Sequence, residues 1–599
     1  MSESELTSFD ATTKKEDILS VFETWLKDSQ SYHDYLLKYQ KIAEQYYRGN
    51  QTERDFIPDH NTNTVENRVF EGIETLVPVA TARPHQFLVL PGSEAETSVT
   101  RANNLQKVLT RKYETLEMQR KLEEVTRDFL LYRFGVMKWC WGYEKDDVDV
   151  EVVDPRLILI PRMRLDPHDL PYKMEIQQYT KQEILEYWPK ANMDELSTEE
   201  SIDTGDNEYS SKPKKMYRVY EVWAGGETVA WFCSKQLLEV LPNPYWDFKG
   251  REKKYIDQKA KKGMKISKKL VFSNILDRPT DPYVFFTTFR VSAEPIGTVS
   301  LTDVVIPIQD AINRQKRAII DNLRFMGNGQ VLMDSDVMDE ETSANITNEP
   351  GLTIRGENLV SQNKYKRDPG VPLPNAHFSN LQHSESVFDN IMGTHSATRG
   401  QAQGKTLGQD MISRQQDYTR IDEITRVLNR GVARLSMGLV QLMKMYYTET
   451  QVVKIIGEQD AVEFVRLNRD DIEEYIEIIV KSGETLPMDK ISLRNEAVQL
   501  WQLGALDPVT LFERLEFPDP AKAAERLQAW KMGQLTAETQ AKIAEIAAGA
   551  QYGAQAKAAT ETTTPTGETG REVETPANVI QRAQANLGGN APLTATPKL

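Results

Sequence analysis

Gly393-Thr-His-Ser-Ala-Thr-Arg-Gly400-Gln-Ala-Gln-Gly404-Lys-Thr-Leu-Gly408 joins two helical patterns, one from Asn375 to Met392 and one, free of proline, that runs on to Tyr447. Four glycines let such a segment change shape at little steric cost, while the flanking helices fix its ends. The layout is that of a loop carried on two rigid posts. The same stretch imitates a phosphate cradle, which needs Gly, four residues and then Gly-Lys-Ser/Thr, so that backbone amides wrap one phosphate and the lysine reaches the next. Only three residues separate Gly400 from Gly404-Lys405-Thr406, Arg399 stands where the first glycine belongs, and no β-branched strand leads in. The reading favoured is a loop without a nucleotide, and no cofactor is expected.

Working outward, apolar residues recur after Met411 at Ile412, Tyr418, Ile421, Ile424, Leu428, Val432, Leu435, Leu439, Leu442, Met443 and Tyr446, the spacing of one helical face. Asp410, Arg414, Asp417, Arg420, Glu423, Arg430, Arg434 and Gln441 fall on the other face. At 1.5 Å per residue the helix is roughly 55 Å long, which suits an extended multi-subunit body better than one small domain. A coiled coil or the core helix of a large globular fold is the plainer alternative.

Length and composition bound the class. The 599 residues leave room for about four domain-sized units. Apolar residues at 39% and charged residues at 27% are those of a soluble folded protein. No apolar run approaches the eighteen or so residues of a membrane helix, and Met1-Ser-Glu-Ser-Glu-Leu lacks the basic start of a signal peptide, so a cytoplasmic product is expected. Cys140 and Cys233 are the only cysteines and build neither a disulfide framework nor a metal site. A net charge of -16 argues against tight, phosphate-driven nucleic-acid binding, which comes from cations displacing counterions.

The remaining segments are mixed. Residues 14 to 47 read as an aromatic amphipathic helix, Asn67 to Ala82 as a helix kinked at Pro78, Gln86 to Leu90 as a strand, and 101 to 133 as a second long helix. Val136 to Tyr143 and Val148 to Val153 form a hairpin pattern around Lys145-Asp146-Asp147, with further strands at 156–160, 217–232 and 283–291. The tryptophans of this α+β region (Trp139, Trp141, Trp223, Trp231, Trp246) read as core. The run from Lys249 to Lys269, with ten lysines and arginines, reads as a solvated loop, with DNA or capsid contact as the alternative. Residues 488 to 531 are helical with breaks at Gly504 and Asp507-Pro508, and beyond Thr560 large apolar residues are too few to fold alone.

Residues 302 to 326 give a regular helix, capped by Thr302-Asp303, with the apolar stripe Val304, Ile308, Ile312, Ile319 and Leu323. About 200° around it lies a charged stripe, Asp310, Arg314, Arg317, Asp321 and Arg324, with opposite charges at the favourable spacing of four. It is either a solvated face or the meeting surface of neighbouring subunits in a ring, where a head-to-tail interface needs complementary signs.

Catalytic constellations are absent: the seven histidines show no metal-ligand spacing, and there is no GxSxG elbow or cysteine-nucleophile signature. Scattered carboxylates leave a two-metal nuclease site open.

Taken in order, a set of local features resembles the portal proteins, or head-to-tail connectors, of tailed double-stranded DNA bacteriophages, most of all short-tailed ones. The pieces are Tyr46-Tyr-Arg-Gly-Asn-Gln51, Asn67 through Pro84, Arg133-Phe-Gly135 before a strand pair, Val153-Asp-Pro155, Asp166-Pro167, Ile308-Gln-Asp-Ala-Ile-Asn313, Gly483-Glu-Thr-Leu-Pro-Met-Asp-Lys490 and Gly504-Ala-Leu-Asp-Pro508. They span roughly 30 to 530, and each alone is a weak signal. The resemblance implies a mostly helical α+β portal fold. On its template 1–302 is an N-terminal arm and wing, 303–326 a stem helix, 327–375 an α/β clip and 376–392 a second stem helix. Residues 393–408 are a tunnel loop, 409–487 the long wing helix and following wing segment, 488–540 a helical crown, and 541–599 a helical extension and tail.

The resemblance further implies a non-enzymatic dodecamer at one capsid vertex, assembled in the host cytoplasm and kept in the virion, through which double-stranded DNA is packaged and ejected. Expected partners are a packaging terminase, major capsid and scaffolding proteins, and tail adaptor proteins, with no membrane span. Arg399 and Lys405, the loop's full charges, and the hydrogen-bonding Gln401, Gln403 and Thr406 are expected to touch passing DNA without reading its sequence. A packaging ATPase or nuclease subunit and another capsid or tail structural protein are the alternatives. A chain of net charge -16, with its cationic groups scattered, also suits a channel that must let a polyanion slide.

Overall fold

The computed structural model describes residues 9–531, apart from 11, 53–60, 83–84, 195, 197–198, 201–214, 235, 258–264, 328–329, 334–364, 369–370, 395–406, 448–450, 457–461, 474–475, 483–488, 505, 516 and 518–519. The chain forms two compact units, Met1–Met488 and Asp489–Leu599.

In the first unit, α1 (Lys15–Arg48) buries the aromatic face expected of it, with Phe22, Trp25, Tyr32 and Tyr46 all inside. It ends at Gly49, whose left-handed backbone (φ 87°) turns the chain back onto the carbonyls of Gln45 and Tyr46. Its first half covers an antiparallel sheet of strands 158–159, 172–179, 215–224, 228–233 and 236–242. Phe22 stacks on Phe232 at 4.0 Å and Trp25 on Tyr172 at 4.3 Å. Sequence periodicity treats 217–232 as one strand, but Gly225 and Gly226 take positive φ and fold it into a hairpin.

α2 (Arg68–Thr81) starts under the side chain of Asn67, which accepts from Phe70 N–H at 3.1 Å, and contains Pro78. The long helix expected over 101–133 is two helices, α3 (Glu96–Thr115) and α4 (Met118–Tyr132), because Glu117 sits in the left-handed region (φ 52°). Strands 134–142, 147–153 and 283–287 make a three-stranded sheet, turning at Asp146 as the hairpin pattern requires. Trp139, Trp141 and Trp223 are buried, as core tryptophans should be, while Trp231 and Trp246 are half-buried. A short α5 (Lys181–Tyr187) is held by a capping box between Thr180 and Glu183.

The basic run is not a loop. Arg251–Asp257 and Lys265–Val271 pair as antiparallel strands, because Tyr255, Ile256, Ile266 and Val271 give it strand propensity that a count of charges overlooks.

α6 (Leu301–Gly327) and α7 (Asn375–Met392) are followed by α8 (Leu407–Tyr446), a helix of 40 residues. From Ile421 onward α8 buries nearly the whole apolar row read from the sequence, each fully buried aliphatic contributing about 2 kcal/mol. It crosses the three-stranded sheet so closely that a Cβ at Gly431 would lie 2.0 Å from the Phe286 ring, and one at Gly438 2.6 Å from Trp139. Gln441, which the sequence places on the polar face, is buried: it accepts from Ile275 N–H (2.7 Å) and donates to the Tyr245 carbonyl (3.0 Å). Side chains before Ile421, including Asp410, Arg414, Asp417 and Arg420, lie outside the described residues.

In the second unit, α9 (Asp489–Gln502), α10 (Pro508–Arg514) and α11 (Pro520–Lys531) follow one another, with Gly504 in the left-handed region at the first break. Asp507 caps α10 by accepting from Thr510 N–H at 3.0 Å. The expected tail beyond Thr560 lies outside the described residues.

Candidate functional site

α7 and α8 flank residues 393–408 in the chain, and α6 packs against α7. α7 ends at Gly393, whose left-handed conformation (φ 73°) lets its N–H return to the Asp389 carbonyl at 2.8 Å, and α8 begins at Leu407. Both ends of the segment are thus helix termini. Arg399, Gln401, Gln403, Lys405 and Thr406 themselves lie outside the described residues.

α6 starts one residue earlier than the sequence suggests, and with a different cap. Ser300 and Asp303 exchange hydrogen bonds, the Ser300 hydroxyl accepting from Asp303 N–H (2.9 Å) and the Asp303 carboxylate from Ser300 N–H (3.0 Å). Thr302, expected as part of the cap, is inside and donates to the Leu130 carbonyl at 3.2 Å. Asp303 also accepts from buried Arg133 at 2.8 Å, which fastens the helix start to the end of α4.

The buried face of α6 is rotated from the apolar stripe. Leu301, Val305, Ile306, Gln309, Ile312, Asn313 and Arg317 point inward, whereas Val304 and Leu323 are 44% and 63% exposed. The cause is a set of polar pins. Asn313 donates to Gln51 (2.6 Å) while its carbonyl oxygen accepts from Glu66 N–H (3.1 Å) and Gln309 (3.1 Å); Gln309 also donates to the Glu66 carbonyl (2.6 Å). Desolvated amides held on this many partners fix rotation more strictly than aliphatic contacts, since an unmade bond here costs a kilocalorie or more, about 1–3 kcal/mol. Apolar periodicity carries no trace of them, although Gln51 and Asn313 both fall in pieces of the family resemblance.

The five residues of the charged stripe do not share one environment. Asp310 accepts from Tyr46 of α1. Asp321 accepts from Thr62 N–H at 2.8 Å, and Arg324 donates to the Thr62 hydroxyl at 3.0 Å. Arg317 is buried with its Nε on the Asn313 carbonyl (3.3 Å), and Arg314 is exposed. α6 is bound to α7 by Lys316, which meets Glu66 and lies 3.4 Å from Glu385, and by Arg68 of α2, which reaches Glu385 (3.4 Å) and Asp389 (3.0 Å). Beyond α6, Gln330–Met333 pairs with Tyr365–Asp368.

The most heavily buried ionic group belongs to the body. Lys138 donates to Glu175 (2.8 Å) and Glu221 (2.7 Å), with Tyr283 on Glu175 (2.8 Å) and Trp223 on Glu221 (2.7 Å). Burial works against the lysine's charge, but Glu221 and Glu175 outweigh it and hold its pKa above the ordinary value. Every member is hydrogen-bonded and buried, which makes this a structural lock between two sheets. Among the described residues no group of three or more histidines, cysteines and carboxylates could hold a metal, and no helix is long and apolar enough to cross a membrane.

The family model described as Phage P22-like portal protein matches residues 23–568, and the chain belongs to that family. It is a family of structural, ring-forming virion proteins rather than of enzymes. Solved structures that match the chain include one from the virion of the native gene transfer agent (GTA) particle, 9% identical, covering 80% of this chain and 94% of that one, with a TM-score of 0.36. Another, from the neck of an empty GTA particle, is 10% identical and covers 75% and 90%, with a TM-score of 0.36. No curated protein matches the chain.

Proposed function

We propose that this portal protein assembles as a ring of twelve at one capsid vertex and serves as the conduit through which double-stranded DNA is packed and later ejected. Packaging terminase, capsid and scaffolding proteins and tail adaptors dock on it. The observation that carries the reading is the match over residues 23–568 to portal proteins, joined to a glycine-rich segment whose two ends are fixed by helix termini. In this reading α6 and α7 are the stem, 327–375 the clip, 393–408 the tunnel loop, α8 the wing helix and α9 to α11 the crown.

Neighbouring copies meet through the charged stripe of α6 and through apolar side chains that are exposed in the single chain: Leu323 and Phe325 near its end, and Val304 near its start. Arg314 and Arg324, both exposed, offer charge to the next subunit; Asp310, Arg317 and Asp321 set the helix that presents it. Within the channel, Arg399 and Lys405, with Gln401, Gln403 and Thr406, supply soft contacts to phosphates that carry no sequence information. Negative-stain images of purified protein test the assembly: rings with a central hole support it, and monomers or filaments overturn it. Deleting 399–405 should leave rings intact and reduce packaging or retention of DNA, and normal packaging by intact mutant rings would place the loop away from the channel.

A further inference from the structure

Thr288 follows the strand Tyr283–Thr287, is 4% exposed, and its hydroxyl has no hydrogen-bond partner among the described residues. A buried hydroxyl without a hydrogen-bond partner is costly. Thr288 lines a cleft of about 450 Å³ whose other walls are Arg290 and the turn carrying Asp166 and His168 on one side, and α8 with Glu423, Arg430 and Arg434 on the other.

The arginines of α8 are unusual in a chain of net charge -16. Arg426, Arg430 and Arg434 are exposed and four residues apart, a spacing at which like charges repel. Among the described residues neither Arg430 nor Arg434 forms an ion pair: Arg430 reaches only the Arg426 carbonyl (3.4 Å), and Arg434 lies 2.6 and 3.0 Å from the two ring nitrogens of His168. Those nitrogens are already committed. Nε2 accepts from Phe285 N–H (3.1 Å), so Nδ1 carries the proton and donates it to Asp166 (2.7 Å). Burial, the largest influence, keeps the ring below its ordinary pKa and hence uncharged near neutrality. Arg434 therefore rests against a ring that has no lone pair to give it. Arg290 is paired with Asp166 at 3.0 Å. Three guanidiniums thus face two carboxylates, and the two on α8 are unspent.

We propose that this cleft is a binding site for a phosphate group, held by the guanidiniums of Arg430 and Arg434 with Arg290 at the far wall and the Thr288 hydroxyl at its floor. A carboxylate is saturated by one guanidinium fork; two forks and a hydroxyl on separate elements match a group with more acceptor oxygens. The volume admits the phosphate together with part of what carries it. Two sources share this chemistry, free phosphate and the backbone of DNA. The inference stands on the cleft's own geometry and does not depend on the conduit reading.

The test uses the full-length protein, with thermal unfolding and calorimetric titration in potassium phosphate against potassium chloride of equal ionic strength, and a labelled short DNA duplex as a separate probe. Phosphate should raise the melting temperature beyond the chloride control, because a ligand that binds only the folded state stabilises it. Arg430→Ala/Arg434→Ala should weaken binding about tenfold or more, Thr288→Val less, and Arg426→Ala, outside the cleft, little. If the double variant fails to fold, Arg430→Ala alone, at an exposed position, serves the same purpose. Phosphate binding that the duplex displaces assigns the site to DNA backbone; phosphate binding indifferent to the duplex assigns it to free phosphate. No stabilisation beyond chloride, or stabilisation unchanged in R430A/R434A, overturns the proposal.

Discussion

α6 and α8 are both long amphipathic helices, yet they are held by different physics. α8 lies in an apolar trough, with Leu428, Val432, Leu435, Leu442 and Met443 at most 1% exposed and its glycines pressed on Phe286 and Trp139. α6 is located by side-chain amides and ion pairs, and much of its aliphatic surface faces outward. Area burial fixes α8 in place but is indifferent to small rotations; directional bonds fix the rotation of α6 and free its apolar groups for another use. A helix that must present a chosen face to a neighbour is better served by the second arrangement.

The contrast breaks first at α8. Gly431→Val would drive its methyls into the Phe286 ring, and overpacking of a rigid core should cost about 3 kcal/mol. Chemical unfolding would show it as a lower midpoint. The corresponding blow to α6 is Asn313→Leu, which leaves Gln51, Gln309 and the Glu66 N–H without their partner and should cost about 2 kcal/mol. A neutral result would mean that apolar contacts locate α6 after all.

A smaller effect comes from the strand pair 85–90 and 477–482, the second strand of which lies against α8. Burial lowers the pKa of His85 to about 4 from an ordinary 6.5, so the unfolded chain binds its proton more readily. The stabilisation is complete above pH 6.5 and is lost as pH falls toward 4, by on the order of 1 kcal/mol per pH unit. His85→Gln should flatten the stability profile between pH 6.5 and 5, and an unchanged slope would show that the histidine is hydrated.

This difference also explains what the sequence could reveal. α8 was legible because aliphatic periodicity and burial are the same signal there; among its described residues Gln441, read on the polar face but bonded to a neighbouring loop, falls out of the pattern. α6 was legible as a helix but not in its rotation: Gln309 and Asn313 belong to neither stripe, and their burial depends on Gln51 and Glu66, which the fold brings beside them. The break between α3 and α4 was hidden because Glu117 is an ordinary residue in a conformation that sequence does not announce. Of the candidate site, the charged stripe was visible and its division between intrachain pins and exposed arginines was not. The orphaned Thr288 hydroxyl had no signal at all, since its cleft is assembled from three distant segments.

Changes to the face that α6 leaves open should have the smallest effect on the single chain. Arg317 is buried, so reversing it would test folding rather than assembly; Arg314→Glu/Arg324→Glu reverses charge at two exposed positions and gives up only the Arg324 bond to the Thr62 hydroxyl and other exposed contacts. Exposed pairs contribute well under 1 kcal/mol, whereas the same charges desolvated between subunits contribute more, and the loss repeats at every contact of a ring. The double variant should therefore unfold within about 0.5 kcal/mol of wild type while its assemblies dissociate at lower salt, as followed by light scattering. Adding Leu323→Ser, at a side chain 63% exposed in the single chain, should deepen the assembly defect without further loss of monomer stability. Unchanged ring mass and salt sensitivity in the triple variant would make the outward face of α6 ordinary solvated surface, and the polar pins would then serve the fold alone.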